Sequence, residues 1–317
     1  MDFTGFISTF QNNRPLGDFD RQHRLAQKVR LDVPLLAQHC VVTMNANSLV
    51  SVDRWYGWRG FVALLGAIGV GFGLGGILML AWILVVDGLP NENGLWEAVF
   101  ISMAMLAALA AAGAWLAGKE MFRWTHYPIM LDRKHRQVHV FRLDGTVLSA
   151  PWDKIYFTLG KGRGPFGAFN WDIRGLVLDD DGQTVRETFA FAIATSRQEN
   201  AYSHWEFLRR YMEEGPQAVI QEVTFCMPVD GRRETFAFSK ERVFANDAQS
   251  PALMYVTMIP FNYLHTLMRW AVMRTSRIPA FPADIAASLS PDPGDPYMRD
   301  ASINPEDLRQ AQARLPR

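Results

Sequence analysis

The chain has 317 residues, with 32 basic and 32 acidic side chains and a mean hydropathy near zero. The balanced charge gives no electrostatic footprint for nucleic acid. Cys40 and Cys226 are too few and too far apart for a disulfide framework, and suit a reducing compartment.

Residues 1–58 read as a polar cytoplasmic segment. Asp2, Phe3, Thr4 and the polar residues after them lack the basic-then-apolar order of a cleaved leader, so insertion into a membrane would use the first apolar block. The spacing predicts a helix over Asp18 to Arg30, with Phe19, His23 and Leu25 on one side. Val41, Val42 and Met44, and Val50 and Val52 beyond the Asn45–Asn47 turn, read as short strands that fold against the region after the apolar blocks.

Two apolar blocks follow, within residues 60–118. Gly60 to Val86 has no charged residue, and Leu95 to Gly118 has only Glu97 near its start. The first block, at 1.5 Å per residue, would measure about 40 Å as a helix and exceeds the roughly 30 Å hydrocarbon core of a bilayer. The Gly-, Pro- and Asn-containing turn Asp87 to Gly94 makes the pair an antiparallel hairpin. That turn has no Lys or Arg, whereas Arg54, Arg59, Lys119 and Arg123 flank the blocks, so the positive-inside rule places both termini in the cytoplasm. Trp55, Tyr56, Trp58, Trp115 and Trp124 fit an aromatic belt at that boundary, and Trp82 and Trp96 one at the other. Gly69/Gly73 and Gly71/Gly75 have the four-residue spacing that lets helix backbones approach, and Ala104, Ala108 and Ala112 form an answering stripe. This pattern reads either as the two helices packing on each other or as a homo-oligomer through the glycine face. With no charge in mid-membrane, an ion or proton path is disfavoured.

Residues 119–215 change to strand texture. Pro128 to Leu131, Val138 to Val140, Thr146 to Ser149, Ile155 to Leu159, Asn170 to Leu178 and Thr184 to Ala194 are punctuated by Asp144-Gly145 and Asp180-Asp181-Gly182 turns. Gln198 to Glu214 then carries Tyr202, Trp205, Leu208, Tyr211 and Met212 at helical spacing. Antiparallel strands closed by one amphipathic helix are the order of a pleckstrin-homology-like barrel. The expected class is therefore an α+β membrane protein, a transmembrane hairpin plus a cytoplasmic antiparallel β domain. Residues 216–280 add β-like pieces around Cys226 and Phe236. Leu253 to Met273 follows as an amphipathic helix, on the membrane surface or docked on the domain, with a third span as the competing reading. Residues 281–317 read as a Pro- and Asp-rich extended tail with a short helix starting at Asn304.

The chemistry is sparse. In Leu159 to Gly167, glycine amides with Lys161 and Arg163 could hold a phosphate or an anionic lipid headgroup, although no P-loop spacing follows. The competing reading is a basic hairpin loop. His135 and His139 are four apart but lie on a strand, without carboxylates or cysteines to complete a metal site. Asp172 and Arg174 read as a surface ion pair. The other aspartates sit mostly in turns, and no Gly-x-Ser-x-Gly elbow is present. No catalytic residue, metal ligand or cofactor is expected.

Thr125-His126-Tyr127-Pro128-Ile129, Val138 to Arg142, Pro151-Trp152-Asp153, Phe169 to Gly175, and Arg269-Trp270 through Met273 to Pro279 resemble a proteobacterial family of uncharacterised two-span membrane proteins. Phe281 departs from that family's pattern, which has tryptophan there. Members are often encoded beside type VI secretion spike and effector genes. The resemblance implies an inner-membrane, non-enzymatic protein of that system, in the first place an immunity protein that binds a toxin. The alternatives are an adaptor for an effector or secretion component, and a lipid-sensing module using Lys161 and Arg163. The expected partners are the lipid bilayer, a protein and, through the glycine face, a second copy.

Overall fold

The computed structural model describes residues 10–86, 93–163, 169–246, 250–287 and 290–305. The chain divides into two compact units. One comprises residues 1–57, 124–238 and 278–317, and the other residues 58–123 and 239–277.

The first unit is built on two five-stranded antiparallel sheets. One runs β3-β4-β5-β6-β7, with β3 Val41–Met44, β4 Ser48–Ser51, β5 Ile129–Asp132, β6 Gln137–Phe141 and β7 Val147–Pro151. The other runs β1-β10-β9-β8-β2, with β1 Arg14–Pro15, β2 Arg24–Leu25, β8 Tyr156–Arg163, β9 Phe169–Leu178 and β10 Thr184–Ala190. The expected strands form, but no pleckstrin-homology-like barrel closes. The break falls at Pro151, where the chain makes a short 3-10 turn at Trp152–Lys154. Proline has no N–H to continue a ladder. The strands on either side of this turn then take different partners. β5 pairs with β4 from the N-terminal segment (Ser51↔Ile129, Ser48↔Asp132), and β8 pairs with β2 (Arg24↔Thr158). That second pairing shortens the expected first helix. α1 covers only Asp18–Gln22, because the chain after His23 is drawn into the sheet.

α4, Gln198–Glu213, is the centre of this unit rather than its lid. It buries Ser203, His204, Glu206 and Arg209 as well as its apolar residues. Trp205 stacks on Trp152 (5.7 Å between centroids) and lies 4.9 Å from the Phe157 ring of β8. Tyr211 donates from its hydroxyl to the Asn45 carbonyl in the β3–β4 turn (3.0 Å). One helix thus touches both sheets. Its buried acids are held by donors: Glu206 accepts from Arg209 and Arg210 and from the Leu31 amide. Glu213 accepts from Lys28, Arg136 and the Trp152 indole.

Residues 223–235 contain no strand, contrary to the β-like reading, and α5 Phe236–Asn246 is helical. Pro228 and Gly231 interrupt regular pairing there. Asn304 holds this stretch by accepting from the Cys226 amide and donating to its carbonyl, each at 2.8 Å. The expected extended tail is therefore pinned over its described part. Arg299 pairs with Met44 at the β3 edge, and Asp295 accepts from the Ala46 amide. A final helix beyond Pro305 falls outside the described residues.

In the second unit, α2 Phe61–Val86 and α3 Asn93–Ala117 form an antiparallel pair, each long and apolar enough to cross a membrane, with only 6% of each apolar window buried. The expected turn Asp87 to Gly94 lies outside the described residues except for the start of α3. Glu120 caps α2 by accepting from the amides of Gly60 (3.1 Å) and Ala63 (2.8 Å). Burial pushes the Glu120 carboxyl above its ordinary value, and the charges of Arg59 and Arg269 oppose this. α6, Ala252–Thr275, continues through Pro260 as one helix.

Candidate functional site

A concavity open to the surface lies in the first unit, a cavity of about 400 Å³. Its floor is Val42, Thr43, Asn45 and Val50 from the β3–β4 hairpin. Its walls are His126 and Pro128 before β5, Val229 to Gly231, and Pro279 to Phe281 with Ala286, Ser290, Pro291 and Met298. Four stretches distant in sequence meet here, which is why no linear motif announces it. The volume is within the range of ligand sites, and the lining has their usual make-up, mostly apolar with a few polar groups. Two of those groups are already engaged. The Asn45 side-chain Oδ1 accepts from the amides of Asn47 and Ser48, and His126 Nδ1 lies 3.1 Å from the Thr125 hydroxyl. Phe281 is held edge-on against Phe141, 6.3 Å between centroids. A second cavity, of about 420 Å³, runs between Arg24 to Val33 and the Tyr202–Trp205 turn of α4.

The basic loop is largely a strand. Lys161 and Arg163 lie on β8 opposite Trp171 and Phe169, and residues 164–168 are outside the described set. Lys161 is exposed, with its ammonium 5.5 Å from the centroid of Trp171, whose ring also stacks near Phe19. Asp172 is not part of a surface pair. It is fully buried and held by Arg54 as well as Arg174, whose Nε donates at 2.8 Å. The glycines of β8 make room for this cluster. A Cβ on Gly160 would fall 1.9 Å from Arg174 Nε and 2.0 Å from Asp172 Oδ1. The Arg54 Nε and Nη2 atoms are buried and have no hydrogen-bond partner among the described residues. Burial lowers the Arg54 pKa, and the Asp172 charge opposes that shift.

His135 and His139 do not converge. His135 lies on Asp132 (2.8 Å) and His139 on the Ser149 hydroxyl (2.7 Å). Cys40 and Cys226 are both buried, and burial pushes the Cys226 thiol up to about 12.

Of the helix-packing residues, Gly69 and Gly73 face α3, joined by Gly66 and Gly76. Gly71 and Gly75 have nothing within 4 Å of a built Cβ. Ala104, Ala108 and Ala112 lie on the exposed side of α3. The stripe that meets α2 is Leu106, Ala110, Gly113 and Ala117, two residues out of phase with the expected one. The second helix is so rich in alanine that four-residue spacing occurs at more than one phase, and spacing alone does not select the buried one.

No curated protein and no solved structure matches the chain. A family model does match, over residues 106–291, from within α3 through both sheets' later strands to the segment after α6. That is more than half of the chain, and it includes the cavity walls from His126 to Pro291 but not the β3–β4 floor. The chain belongs to this family of unknown function, DUF6708.

Proposed function

We propose that the chain is a membrane-anchored, non-enzymatic binding protein, an immunity protein that neutralises a toxin of a type VI secretion system. The hairpin of α2 and α3 is the anchor in the bacterial inner membrane, with both termini cytoplasmic. The observation that carries a binding role is the open, mostly apolar cavity of about 400 Å³ in the first unit, which suits the side chains of a protein partner. The link to type VI secretion rests on the sequence resemblance. Supporting the orientation, Lys119 lies over the Trp115 ring (4.4 Å) at the end of α3, a pairing suited to a membrane–water boundary.

The test is co-expression with the toxin encoded beside this gene. Protection that is lost when the cavity is filled, as in Val50→Trp or Ala280→Trp, is the expected result. Equal killing with and without the protein removes the immunity reading. Capture of a spike or effector protein without protection would replace it by an adaptor role.

A further inference from the structure

α6 has its polarity inverted. Its buried side carries Asn262, His265, Thr266 and Arg269, with the apolar Val272 and Met273 confined to its last turn and Ser276 just beyond its end. The opposite stripe carries Leu253, Val256, Leu264 and Leu267, exposed by 79, 59, 54 and 53%, with Pro260 between them. Spacings of three and four residues put these on one face. No Asp or Glu occurs between Ala252 and Thr275. In water such a helix would turn its apolar stripe inward and its arginine outward, so this arrangement calls for an apolar medium outside.

The contacts of α6 say where that medium lies. The Phe261 and His265 rings both meet the Phe61 ring, at 6.1 and 5.8 Å. His265 Nε2 lies 3.2 Å from the Arg59 carbonyl. Further along, the Arg269 backbone passes so close to Gly60 that a Cβ there would fall 2.5 Å from the Arg269 Cα. Gly60 also has φ +90°, which suits glycine alone. Phe261 and Arg269 are about 12 Å apart along a helix, yet both meet the short stretch Arg59–Phe61. A helix running alongside α2 would spread its contacts over α2 equally. α6 instead crosses the root of α2, at the level where that helix leaves its charged flank. Trp270, with Arg274 over its ring at 5.6 Å, supplies an interfacial pair at the C-terminal end.

We propose that α6 is an interfacial membrane helix, lying crosswise at the root of the hairpin with its Leu253–Val256–Leu264–Leu267 face in the lipid. This rests on the reading of α2 and α3 as membrane spans. An interfacial helix buries its apolar face about 5–10 Å into the headgroup–acyl boundary.

The test uses the full chain in vesicles of phosphatidylethanolamine and phosphatidylglycerol, with a single nitroxide label at Val256, Leu264 or Leu267. Trp82, 68% exposed on α2, serves as the lipid reference. Lys28, whose side chain is 68% exposed in the first unit, serves as the water reference. Collision with oxygen and with a water-soluble nickel complex is measured at each site. The expected result is an oxygen-to-nickel ratio at all three α6 sites shifted from the Lys28 value towards the Trp82 value. Three α6 sites matching Lys28 while Trp82 remains oxygen-rich would overturn the inference and leave the spans standing. A Trp82 site as nickel-accessible as Lys28 would overturn both. Shielding of the α6 sites from both reagents would assign the face to a protein partner or a second copy, and overturn it as well.

Discussion

The buried cluster at β8–β9 allows a sharp test. Asp172 is wholly buried and is the acid shared by Arg54, whose side chain is 2% exposed, and Arg174, 16% exposed. Asp172→Asn keeps the shape and removes the charge. Arg174 can then reach solvent, but Arg54 cannot, and its Nε and Nη2 already lack partners among the described residues. Breaking a buried pair while leaving one charge behind costs about 3–5 kcal/mol. For an m value of ~2 kcal/mol/M, that lowers the urea midpoint by roughly 2 M. Urea unfolding of the detergent-solubilised protein, followed by tryptophan fluorescence, reads this directly, since Trp152 and Trp205 lie in the same unit. Replacing both partners, as in Arg54→Met with Asp172→Leu, is expected to return stability to within about 1 kcal/mol of the parent, because an apolar pair of similar volume removes the desolvation cost. A single variant that loses less than about 1 kcal/mol would refute the reasoning. So would a double variant as unstable as the single one.

In the hairpin, a Cβ on Gly66 would fall 2.5 Å from the Gly113 carbonyl oxygen, and one on Gly113 2.6 Å from that of Gly66. Each Gly→Ala change should cost about 1–3 kcal/mol by overpacking, whereas Gly71→Ala and Gly75→Ala should stay within about 0.5 kcal/mol in detergent melts. His204 is fully buried, with Nδ1 2.8 Å from the Leu36 carbonyl, and desolvation lowers its pKa to about 4. The unfolded chain takes up this proton near pH 6.5 and the folded chain only near 4, so stability is intact above 6.5 and falls as pH drops through that window. The slope approaches 1.4 kcal/mol per unit; His204→Gln should flatten it, and an unchanged profile would count against the assignment. Native protein should leave both thiols unmodified by a water-soluble thiol reagent until denaturant is added, since Cys40 and Cys226 are 2 and 0% exposed. Reporter fusions at Asn91 and Arg317 should read outside and cytoplasm respectively; a cytoplasmic signal at Asn91 would reverse the orientation.

What could be read from the sequence was whatever a short window determines. An apolar run of bilayer length with at most one charge needs no tertiary partner to be recognised, and α2 and α3 follow the two runs closely. The Asp144-Gly145 turn and the alternation through Val138 and Val140 likewise locate β6 and β7. Pairing was not local. Ser51 meets Ile129 across the whole hairpin, and Leu25 meets Phe157, so the expectation of one closed barrel failed on partners rather than on strands. The polarity rule failed on three elements, α4, β9 and α6, for one reason. Glu206, Arg209, Asp172 and Arg269 look like surface residues because charges are seldom buried alone, and partners permit their burial, within α4 for Glu206 with Arg209 and on distant segments for Asp172 and Arg269. The cavity was invisible for the same cause, since its lining is drawn from four stretches.

These pairings also explain how one chain carries a β unit and a helical unit without being two successive domains. The chain leaves the first unit after Gly57 and returns at Trp124, then leaves again after Phe238 and returns at Ile278. The first exit and return are fastened to each other inside the β unit: β4 lies against β5, Asp53 accepts from the Tyr127 amide at 2.9 Å, and Arg54 is locked on Asp172. The two excursions are fastened in turn within the helical unit, where Arg277 donates its amide to the Arg123 carbonyl at 2.7 Å and the Ser276 hydroxyl lies 3.4 Å from the Glu120 carbonyl. An isolated α6 would have to expose either its arginine to lipid or its leucines to water. Joined to the root of α2, it satisfies the polar side internally and leaves only the apolar side to be covered. Besides the anchoring role proposed for it, the hairpin supplies the surface against which α6 holds its inverted polarity.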